Sequence, residues 1–466
     1  MANKKSTSSK KKSSTVSTKK MVKTAAKAAK KNPKAFAILI VIALVLVAAG
    51  IAGYFICRTF NPDVVFALIG GKEVSVALDS TYVDKGVTAT YNGKDVSGYV
   101  YTTYYLGSEK KESINTEVEA TYKVEYQLEY QKYSGRLERT VNVTDVAQID
   151  INFLELGIKN NGDSTFIKAG DVDILIDAGA KRESAPTISS FIDTYCTDGV
   201  LEYVIATHAH EDHIAGFVGN SSKGVFYNYK VDTLIDFAKT DSNSGIYKDY
   251  AAIRDSKVSS GDIAHHYTAD DCIQGTNGAK KVFDIAPGIT MEILDQKFYR
   301  QKASTENDYS VCALFTQGDN HYLFTGDLEE KGEESLVELN PDLPQVELFK
   351  GGHHGSYTAN TDALLNVIQP KTVCICCCAG SPEYTKDPAS LHNFPAQEAI
   401  DRIGKWTDKV YVTTVVSDNS KGYELMNGNI NFHCAKGKDY AVTGSNNNTI
   451  LKDTEWFKNN RTWPTN

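Results

Sequence analysis

Three histidines and an aspartate lie close together in the stretch THAHEDHIAG, residues 207–216, of a chain that has only 10 histidines. Neutral imidazole and carboxylate groups are ligands for zinc, manganese and iron. The pattern His208-x-His210-x-Asp212-His213 follows the apolar run LEYVIA, which predicts a strand with the cluster at its end. The spacing does not fit the i, i+4 pair of a helical mononuclear site. We therefore expect His208 and His210 to reach one ion and Asp212 and His213 to turn toward a second.

Further polar residues follow other predicted strands. The run VDILIDAGA contains Asp177, and HYLFTGDLEE contains Asp327. The run VELFKGGHHGS contains His353, His354 and Ser356. Loops at strand ends are where α/β folds collect their functional residues. The sequence therefore predicts an α/β domain in which these loops meet at one site.

These motifs, in this order, resemble the metallo-β-lactamase superfamily, whose signature is His-x-His-x-Asp-His. The resemblance covers roughly residues 148–435 and implies the αβ/βα sandwich of that superfamily. It also implies two divalent metal ions, with zinc as the first choice and manganese as the alternative. Asp177 is expected to support the metal loop. The implied metal ligands are His208, His210, Asp212, His213, the bridging carboxylate Asp327, and His353, which would complete the second site.

One part of the superfamily pattern is missing. Many members have a further histidine before the bridging aspartate, as the third ligand of the first metal. The corresponding stretch here, STENDYSVCALF, offers Asn307 and Ser310 but no histidine. His265 and His266 lie much earlier in the chain, and we expect them in a surface loop. The first site is thus expected to have an unusual third ligand or to be weaker.

The order of an Asn-x-x-Ser element, TGDL, KGGHHGS and LHNFPAQEAIDRI resembles the hydrolase domain of ComEC-type DNA-uptake proteins. The resemblance implies phosphodiester hydrolysis by a metal-bound hydroxide, with Asp212 in the catalytic set. His354 and Ser356 are expected to contact a phosphate oxygen or protonate the leaving group. For His354, a supporting role beside the ligands is the alternative. His392 is expected either to contact substrate or to stand at the start of a helix.

The substrate is less well defined by the sequence. The resemblance makes nucleic acid the first candidate. A cell-envelope phosphodiester of the teichoic acid or phosphorylcholine type is an alternative with the same chemistry. A catalytically inactive surface adhesin or scaffold is a third hypothesis, which the presence of all the implied metal ligands disfavours. The sequence gives no signal for an oligomeric state.

Charge divides the chain into two parts. Residues 1–34 contain 12 lysines and no acidic residue, so the rest holds 38 basic and 58 acidic residues, a net charge of −20. That charge is unfavourable for binding a phosphate backbone. Residues 1–34 are predicted to be a disordered tail. The 23 uncharged residues of 35–57 predict a transmembrane helix rather than a signal peptide. We expect the tail in the cytoplasm and the domains after a single membrane pass outside the cell.

Residues 62–146 have the period-2 alternation of half-buried strands, most clearly in ATYKVEYQLEYQ. They resemble bacterial immunoglobulin-like modules, which implies a small all-β sandwich that acts as a spacer or adhesion module. The hydrolase domain is expected over 148–440 and a C-terminal extension over 441–466. Four of the nine cysteines lie in VCICCCAG, residues 373–380, where we expect a buried strand. A metal site is the alternative there, but successive side chains of a strand point to opposite faces.

Overall fold

The structure is a computed structural model that describes residues 62–382, 390–417 and 422–465. The predicted tail, residues 1–34, and the predicted transmembrane helix, residues 35–57, lie outside the described residues. A helix that crosses a bilayer needs about 20 mainly apolar residues. The longest helix in the described ranges, Gly245–Ser260, has 16 residues, and lysine, aspartate and arginine are among them. No described helix is long and apolar enough to span a membrane. This finding contradicts the predicted single-pass localisation, and membrane attachment has no part in the function proposed below.

Strands hold more residues of the described chain than helices do. Up to residue 176 they are β1 Val64–Leu68, β2 Glu73–Ala77, β3 Val87–Tyr91, β4 Lys94–Asp95, β5 Val100–Leu106, β6 Glu109–Lys111, β7 Ala120–Tyr130, β8 Tyr133–Thr144, β9 Ile149–Phe153, β10 Thr165–Ala169 and β11 Val172–Ile176. Those that follow are β12 Val200–Ala206, β13 Lys230–Asp236, β14 Ile263–Thr268, β15 Val282–Ala286, β16 Ile289–Leu294, β17 Cys312–Gln317, β18 Asn320–Phe324, β19 Leu348–Lys350, β20 Val373–Ala379, β21 Val410–Val416, β22 Tyr423–Leu425, β23 Ile430–Cys434 and β24 Tyr440–Gly444.

The α-helices begin only after residue 184 of the described chain. They are α1 Ala185–Ile192, α2 Glu211–Val218, α3 Val225–Asn228, α4 Gly245–Ser260, α5 Ala269–Gln274, α6 Glu330–Leu339, α7 Asp362–Ile368, α8 Gln397–Ile403 and α9 Glu455–Asn460. Short 3₁₀ turns occur at Ser97–Tyr99, Arg182–Ser184, Lys297–Tyr299, Asn307–Tyr309, Gly352–Gly355 and Leu451–Asp453.

The chain divides into two compact units, and the smaller one includes residues 62–66 and 89–98. Its β3–β4 hairpin turns at Asn92-Gly93, where both residues have positive φ (53° and 77°). An Asn-Gly pair suits such a turn, because both residues tolerate the left-handed region. Val96 and Ala89 are buried in this unit and joined by a backbone hydrogen bond of 2.9 Å.

The larger unit comprises residues 67–88 and the chain from residue 99 onward. It contains a five-stranded sheet in the order β2-β8-β7-β5-β6. On β7, the alternating Tyr122, Val124, Tyr126 and Leu128 are all buried, as the period-2 pattern predicts. Residues 62–146 are thus rich in strands and contain no α-helix. The immunoglobulin-like assignment has no support beyond this strand content and stays a prediction.

Two eight-stranded sheets form the rest of the larger unit. The first has the order β14-β13-β12-β11-β10-β9-β23-β24, and the second the order β15-β16-β17-β18-β19-β20-β21-β22. Strands β11 to β14 are parallel, and so are β18 to β21. Phe153 on the first sheet stacks on Phe324 of the second, with ring centroids 6.2 Å apart. The sheets therefore face each other across a shared hydrophobic core, to which both contribute.

Helices cover the outer faces of both sheets. Phe191 of α1 contacts Phe166 of β10 edge-on, at 6.0 Å between ring centroids. A second hydrophobic cluster joins apolar side chains of α6, α7 and α8 to those of β18 to β21; among them are Leu336, Leu365, Ile400, Phe349 and Val412. The layer order of helix, sheet, sheet and helix is the αβ/βα sandwich predicted for the hydrolase domain.

Strand β20 is buried along its whole length, including the cysteines at 374, 376, 377 and 378. Strands inside an α/β fold have apolar side chains on both faces, and cysteine serves here as a small apolar residue. This confirms the buried-strand interpretation. Past residue 440, the predicted end of the hydrolase domain, β24 pairs with β23 in the first sheet. Phe457 of α9 also joins the second hydrophobic cluster.

Candidate metal centre

The predicted site residues meet at the carboxyl ends of parallel strands. Asp177 follows β11 directly, and Thr207 and His208 follow β12. Asp327 lies three residues after β18, and the turn Gly352–Gly355 follows β19. Because neighbouring parallel strands end at the same edge of a sheet, the local motifs of the sequence converge here.

The three histidines of the signature lie against one another. His208 Nε2 is 3.0 Å from His210 Nδ1, and the ring centroids of His208 and His213 are 4.1 Å apart. His208 and His213 are fully buried, whereas the Asp212 side chain is 37% exposed. The cluster is therefore packed inside the domain but open to solvent on the Asp212 side.

The Asp177 carboxylate anchors the loop that carries His208 and His213. Its carboxylate accepts hydrogen bonds from Thr207 N at 2.7 Å and Thr207 Oγ1 at 2.8 Å. The same carboxylate lies 2.7 Å from His213 Nδ1. With Nδ1 directed at Asp177, Nε2 of His213 is left to face the centre of the site. This is the arrangement that second-sphere carboxylates impose on ligating histidines.

Asp327 stands at the centre of the cluster. Its Oδ2 lies 3.0 Å from His213 Nε2, 3.3 Å from His354 Nε2 and 3.8 Å from His353 Nε2. A carboxylate oxygen that faces several imidazole nitrogens is suited to bridge two metal ions, as predicted for Asp327 from the sequence.

The turn Gly352–Gly355 brings His354, as well as the predicted ligand His353, toward the other candidate ligands. Both His353 and His354 have positive φ (45° and 53°). His354 Nε2 lies 3.3 Å from Asp212 Oδ2 and from Asp327 Oδ2, so His354 is placed to complete the second site. His353 Nδ1 instead faces Glu329 Oε1 at 3.5 Å and Thr358 Oγ1 at 3.2 Å. Among the described residues, four groups bring three candidate ligand atoms within 4.8 Å of one another: His208–His213–Asp327, Asp212–His213–His354, Asp163–Asp327–His354 and Asp163–Asp177–His213.

Asp163 and Lys350 also belong to the site, and sequence reasoning missed both. Asp163 is buried and lies 3.3 Å from His354 Nδ1 through its Oδ1. Lys350 is buried at the end of β19 and forms an ion pair with Asp163 Oδ2. The local sequence indicates only that Lys350 begins the motif KGGHHGS and that Asp163 lies in the turn-rich stretch NNGDS. Neither shows that the two residues are partners.

Asn307 and Ser310 lie at the border of the site. Neither takes the place of the missing histidine as an equivalent ligand. Ser310 Oγ accepts a hydrogen bond from Asp327 N at 3.1 Å and lies 3.4 Å from His208 Nδ1. Asn307 Nδ2 donates to Glu329 Oε1 at 2.9 Å and lies 3.5 Å from His353 Nε2. These contacts fit a supporting role.

Ser356 and His392 lie at the margin of the site. Ser356 is buried, and its Oγ is 2.9 Å from Thr358 Oγ1. The His392 side chain is 49% exposed, stacks on Tyr357 at 4.4 Å between ring centroids, and lies 3.0 Å from Glu398 Oε1 in the first turn of α8. Contact of either residue with substrate stays a prediction. His265 and His266 are on the edge strand β14, not in a loop as expected, and His266 Nε2 lies 3.0 Å from Asp236 Oδ1.

The electrostatics of the site follow from its buried carboxylates. Burial would lower the pKa of His213, but the carboxylates of Asp327 and Asp177 raise that pKa well above its usual value. Burial also opposes ionisation of Asp327, yet the imidazoles of His213 and His354 hold its pKa well below the usual range. Burial lowers the pKa of His208 well below its usual value, which leaves this ring neutral, as a metal ligand must be.

The donor set fits divalent metal ions. The cluster contains four carboxylates (Asp163, Asp177, Asp212 and Asp327) and Lys350, which lies against Asp163 and Asp327; their formal charge is −3 when the carboxylates are ionised and the histidines neutral. His354 Nε2 is buried without a hydrogen-bond partner although two carboxylates lie 3.3 Å away. A ring nitrogen in that position is expected of a metal ligand. A cavity of about 330 Å³, whose lining includes His210, Asp212 and His354, gives a substrate access to the cluster.

Comparison with known proteins gives the superfamily that part of this chain resembles. Residues 158–379 match the family model described as the metallo-beta-lactamase superfamily. That segment is therefore a metallo-β-lactamase domain, and proteins of this superfamily are generally metal-dependent hydrolases.

Two curated proteins are similar to parts of this chain. ComE operon protein 3 of Bacillus subtilis (strain 168) is 23% identical over 180 residues, 38% of this chain and 20% of that protein. Recombination protein 2 of Haemophilus influenzae is 27% identical over 110 residues, 24% of this chain and 12% of that protein. The chain thus spans a fifth or less of the length of these curated relatives. The predicted resemblance to ComEC-type hydrolase domains is confirmed. Among solved structures, a HARLDQ-motif mutant of a Cronobacter sakazakii metallo-β-lactamase is 15% identical, with a TM-score of 0.23 over 41% of this chain and 70% of that one.

Proposed function

We propose that this protein is a phosphodiesterase that uses two divalent metal ions, with zinc as the first choice, and that nucleic acid is its substrate. The observation that supports it most is the cluster of four carboxylates and three histidines at the strand ends, with Lys350 paired to one of the carboxylates. Bound ions would supply a water molecule of lowered pKa and would neutralise charge on a phosphoryl oxygen.

The chain's own residues would hold and orient these ions. His208 and His210 would hold the first ion, and Asp212, His213 and His354 the second. Asp327 would bridge them through Oδ2, which faces three imidazole nitrogens. His353 lies beside this group at the cavity, with Glu329 against its Nδ1. His353 would then face the substrate through Nε2 as a neutral ring, because burial lowers its pKa to about 4.

Nucleic acid is the first substrate to test because one matched relative is named for recombination, a process of nucleic acids. A second candidate has its own observation. A cavity of about 550 Å³ near the site is lined by Glu329 and four further acidic residues, Asp308, Glu330, Glu334 and Asp362, with only Lys331 and Arg402 as basic residues. An acidic cavity lining of this kind favours a substrate with a cationic group. A phosphorylcholine-type phosphodiester of the cell envelope carries one.

The test is metal-dependent hydrolysis by the full chain. We expect zinc- or manganese-dependent turnover of bis-p-nitrophenyl phosphate, lost in an Asp212→Ala, His213→Ala double variant. His265→Ala is the matched control, because His265 is an exposed histidine outside the cluster, and it should keep wild-type activity. Metal uptake without turnover of any phosphodiester would contradict the proposed reaction.

The two substrate classes can then be separated directly. Single-stranded DNA, double-stranded DNA and RNA should be cut at a higher kcat/KM than p-nitrophenyl phosphorylcholine if nucleic acid is the substrate. The reverse order would favour the cationic substrate. In that case Glu334→Gln should raise the KM for the choline ester and leave the hydrolysis of bis-p-nitrophenyl phosphate unchanged.

A further inference from the structure

Lys350 is an unusual component of a site expected to hold cations. Its side chain is 4% exposed, and its Nζ donates to the carbonyl oxygen of Gly326 at 2.9 Å. The same Nζ lies 3.5 Å from Asp327 Oδ1 and forms an ion pair with Asp163 Oδ2. A buried ammonium group is costly unless it is paired, and here two carboxylates and a carbonyl surround it.

The two oxygens of Asp327 face different partners. Oδ1 faces Lys350, whereas Oδ2 faces His213 Nε2 at 3.0 Å and His354 Nε2 at 3.3 Å. A carboxylate with both oxygens free can bind one ion through both of them. With Oδ1 held by an ammonium group, only Oδ2 is available on the metal side.

Asp163 lies on the opposite edge of the His354 ring from the metal side. Its Oδ1 is 3.3 Å from Nδ1, and Nδ1 is also 2.8 Å from the carbonyl oxygen of Cys376. A carbonyl oxygen can only accept, so Nδ1 carries the ring proton and does not ligate an ion. Nε2, which faces Asp212 and Asp327, is then the ligating atom. Asp163 therefore faces the ring edge that points away from the ions, and its other oxygen is taken by Lys350.

We propose that Lys350 and Asp163 are a positioning pair for the metal centre, in which Lys350 restricts Asp327 to one ligating oxygen and Asp163 balances Lys350 without binding an ion itself. This inference rests on the metal centre of the proposed function but not on its substrate. It assigns Asp163 as the counter-ion of Lys350 and not as a further ligand, although Asp163 is part of two of the candidate groups.

Cobalt substitution tests the first half of the proposal. The full chain is loaded with Co²⁺, and the bound metal and the visible d–d absorbance are measured. Lys350→Met should keep the wild-type number of ions, because no ligand is lost. Its absorbance should fall, because Oδ1 of Asp327 is freed to bind and a higher coordination number weakens the d–d bands. Activity should fall by roughly 10–100-fold, as for other residues that orient metal ligands. Lys350→Arg, which keeps the cation, should restore the wild-type spectrum.

Asp163→Asn tests the second half. A counter-ion role predicts the wild-type number of cobalt ions and a wild-type spectrum, since Lys350 can still hold Asp327. Loss of an ion in Asp163→Asn would show that Asp163 is a ligand and would overturn the proposal, even if Lys350→Met fails to fold. A wild-type spectrum in folded Lys350→Met would also overturn it.

The control is Lys168→Met, which breaks a comparable Lys–Asp pair, Lys168 Nζ to Asp173 Oδ1 at 2.8 Å, away from the cluster. It should alter stability without altering the spectrum. A wild-type chain that binds no metal would instead refute the proposed metal centre, an outcome distinct from those above.

Discussion

Replacement of Asp177 by asparagine should weaken metal binding without removing a ligand. Asp177 is 1% exposed and accepts hydrogen bonds from Thr207 N and Thr207 Oγ1, and it lies 2.7 Å from His213 Nδ1. An amide offers one acceptor oxygen in place of two, so at least one of these donors is left facing an NH₂ group. Hydrogen bonds that involve a charged group contribute about 1.5–3 kcal/mol each, and a buried donor without a partner costs about as much again. We expect Asp177→Asn to lower the free energy of unfolding of the metal-free protein by about 2–4 kcal/mol.

The effect on metal affinity follows from the orientation of His213. Without the Asp177 carboxylate, the proton on Nδ1 is held less firmly, so Nε2 is no longer reserved for an ion. We expect the zinc dissociation constant to rise about 10–100-fold, the usual effect of losing such a partner. The assay is competition with a chromophoric chelator, alongside urea unfolding of the metal-free protein. Asp173→Asn is the matched control, because Asp173 is buried on β11, the strand that precedes Asp177, and pairs with Lys168. It should keep wild-type zinc affinity. Equal zinc affinities for wild type and Asp177→Asn would refute this reasoning.

Four further predictions follow from the same structure. Elemental analysis should find one bound ion fewer in His354→Ala than in the wild type, whereas His353→Ala should keep both ions and lose activity. Loss of an ion in His353→Ala and not in His354→Ala would identify His353 as the ligand. Gly179→Ala should abolish metal binding, because a Cβ there would stand 1.5 Å from the carbonyl oxygen of Asp212, while Gly245→Ala, where a Cβ meets nothing within 4 Å, should bind metal normally. Burial raises the pKa of the Glu333 carboxyl to about 7. The folded state therefore binds more protons than the unfolded state between about pH 4.5 and pH 7, and stability should fall by up to about 3 kcal/mol as the pH rises through that window; denaturation at several pH values should show this fall in the wild type and not in Glu333→Gln. Removal of metal by a chelator should lower the melting temperature, since an ion at 100 times its dissociation constant stabilises the folded state by about 2.7 kcal/mol; an unchanged melting temperature would speak against a metal bound in the folded state.

Local motifs could be predicted from the sequence because their residues are close in the chain. A run of apolar residues followed by polar ones was enough to predict that the signature from His208 to His213 lies at a strand end. The same pattern predicted the strand-end positions of Asp177 and Asp327. The alternating burial on β7 and the buried cysteines of β20 follow from the same kind of pattern. The αβ/βα sandwich came from the order of these motifs and their resemblance to a superfamily, and the structure agrees with it.

Contacts between distant segments could not be predicted in this way. Asp163 and Lys350 are far apart in the chain, and neither lies in a pattern that indicates the other. The choice between His353 and His354 depends on a turn in which both residues have positive φ, which no periodicity shows. The place of β24 in the first sheet could not be predicted, because β24 is short and its partner strand β23 pairs with β9, which is far away in the chain.

The central claim is that the cluster at the strand ends binds divalent metal ions. The most direct measurement is the metal content of the full chain after equilibrium dialysis against zinc, beside the Asp212→Ala, His213→Ala double variant and the His265→Ala control. We predict two zinc ions per chain for wild type and His265→Ala, and fewer for the double variant. Equal zinc content in the wild type and the double variant, or none in the wild type, would contradict the claim.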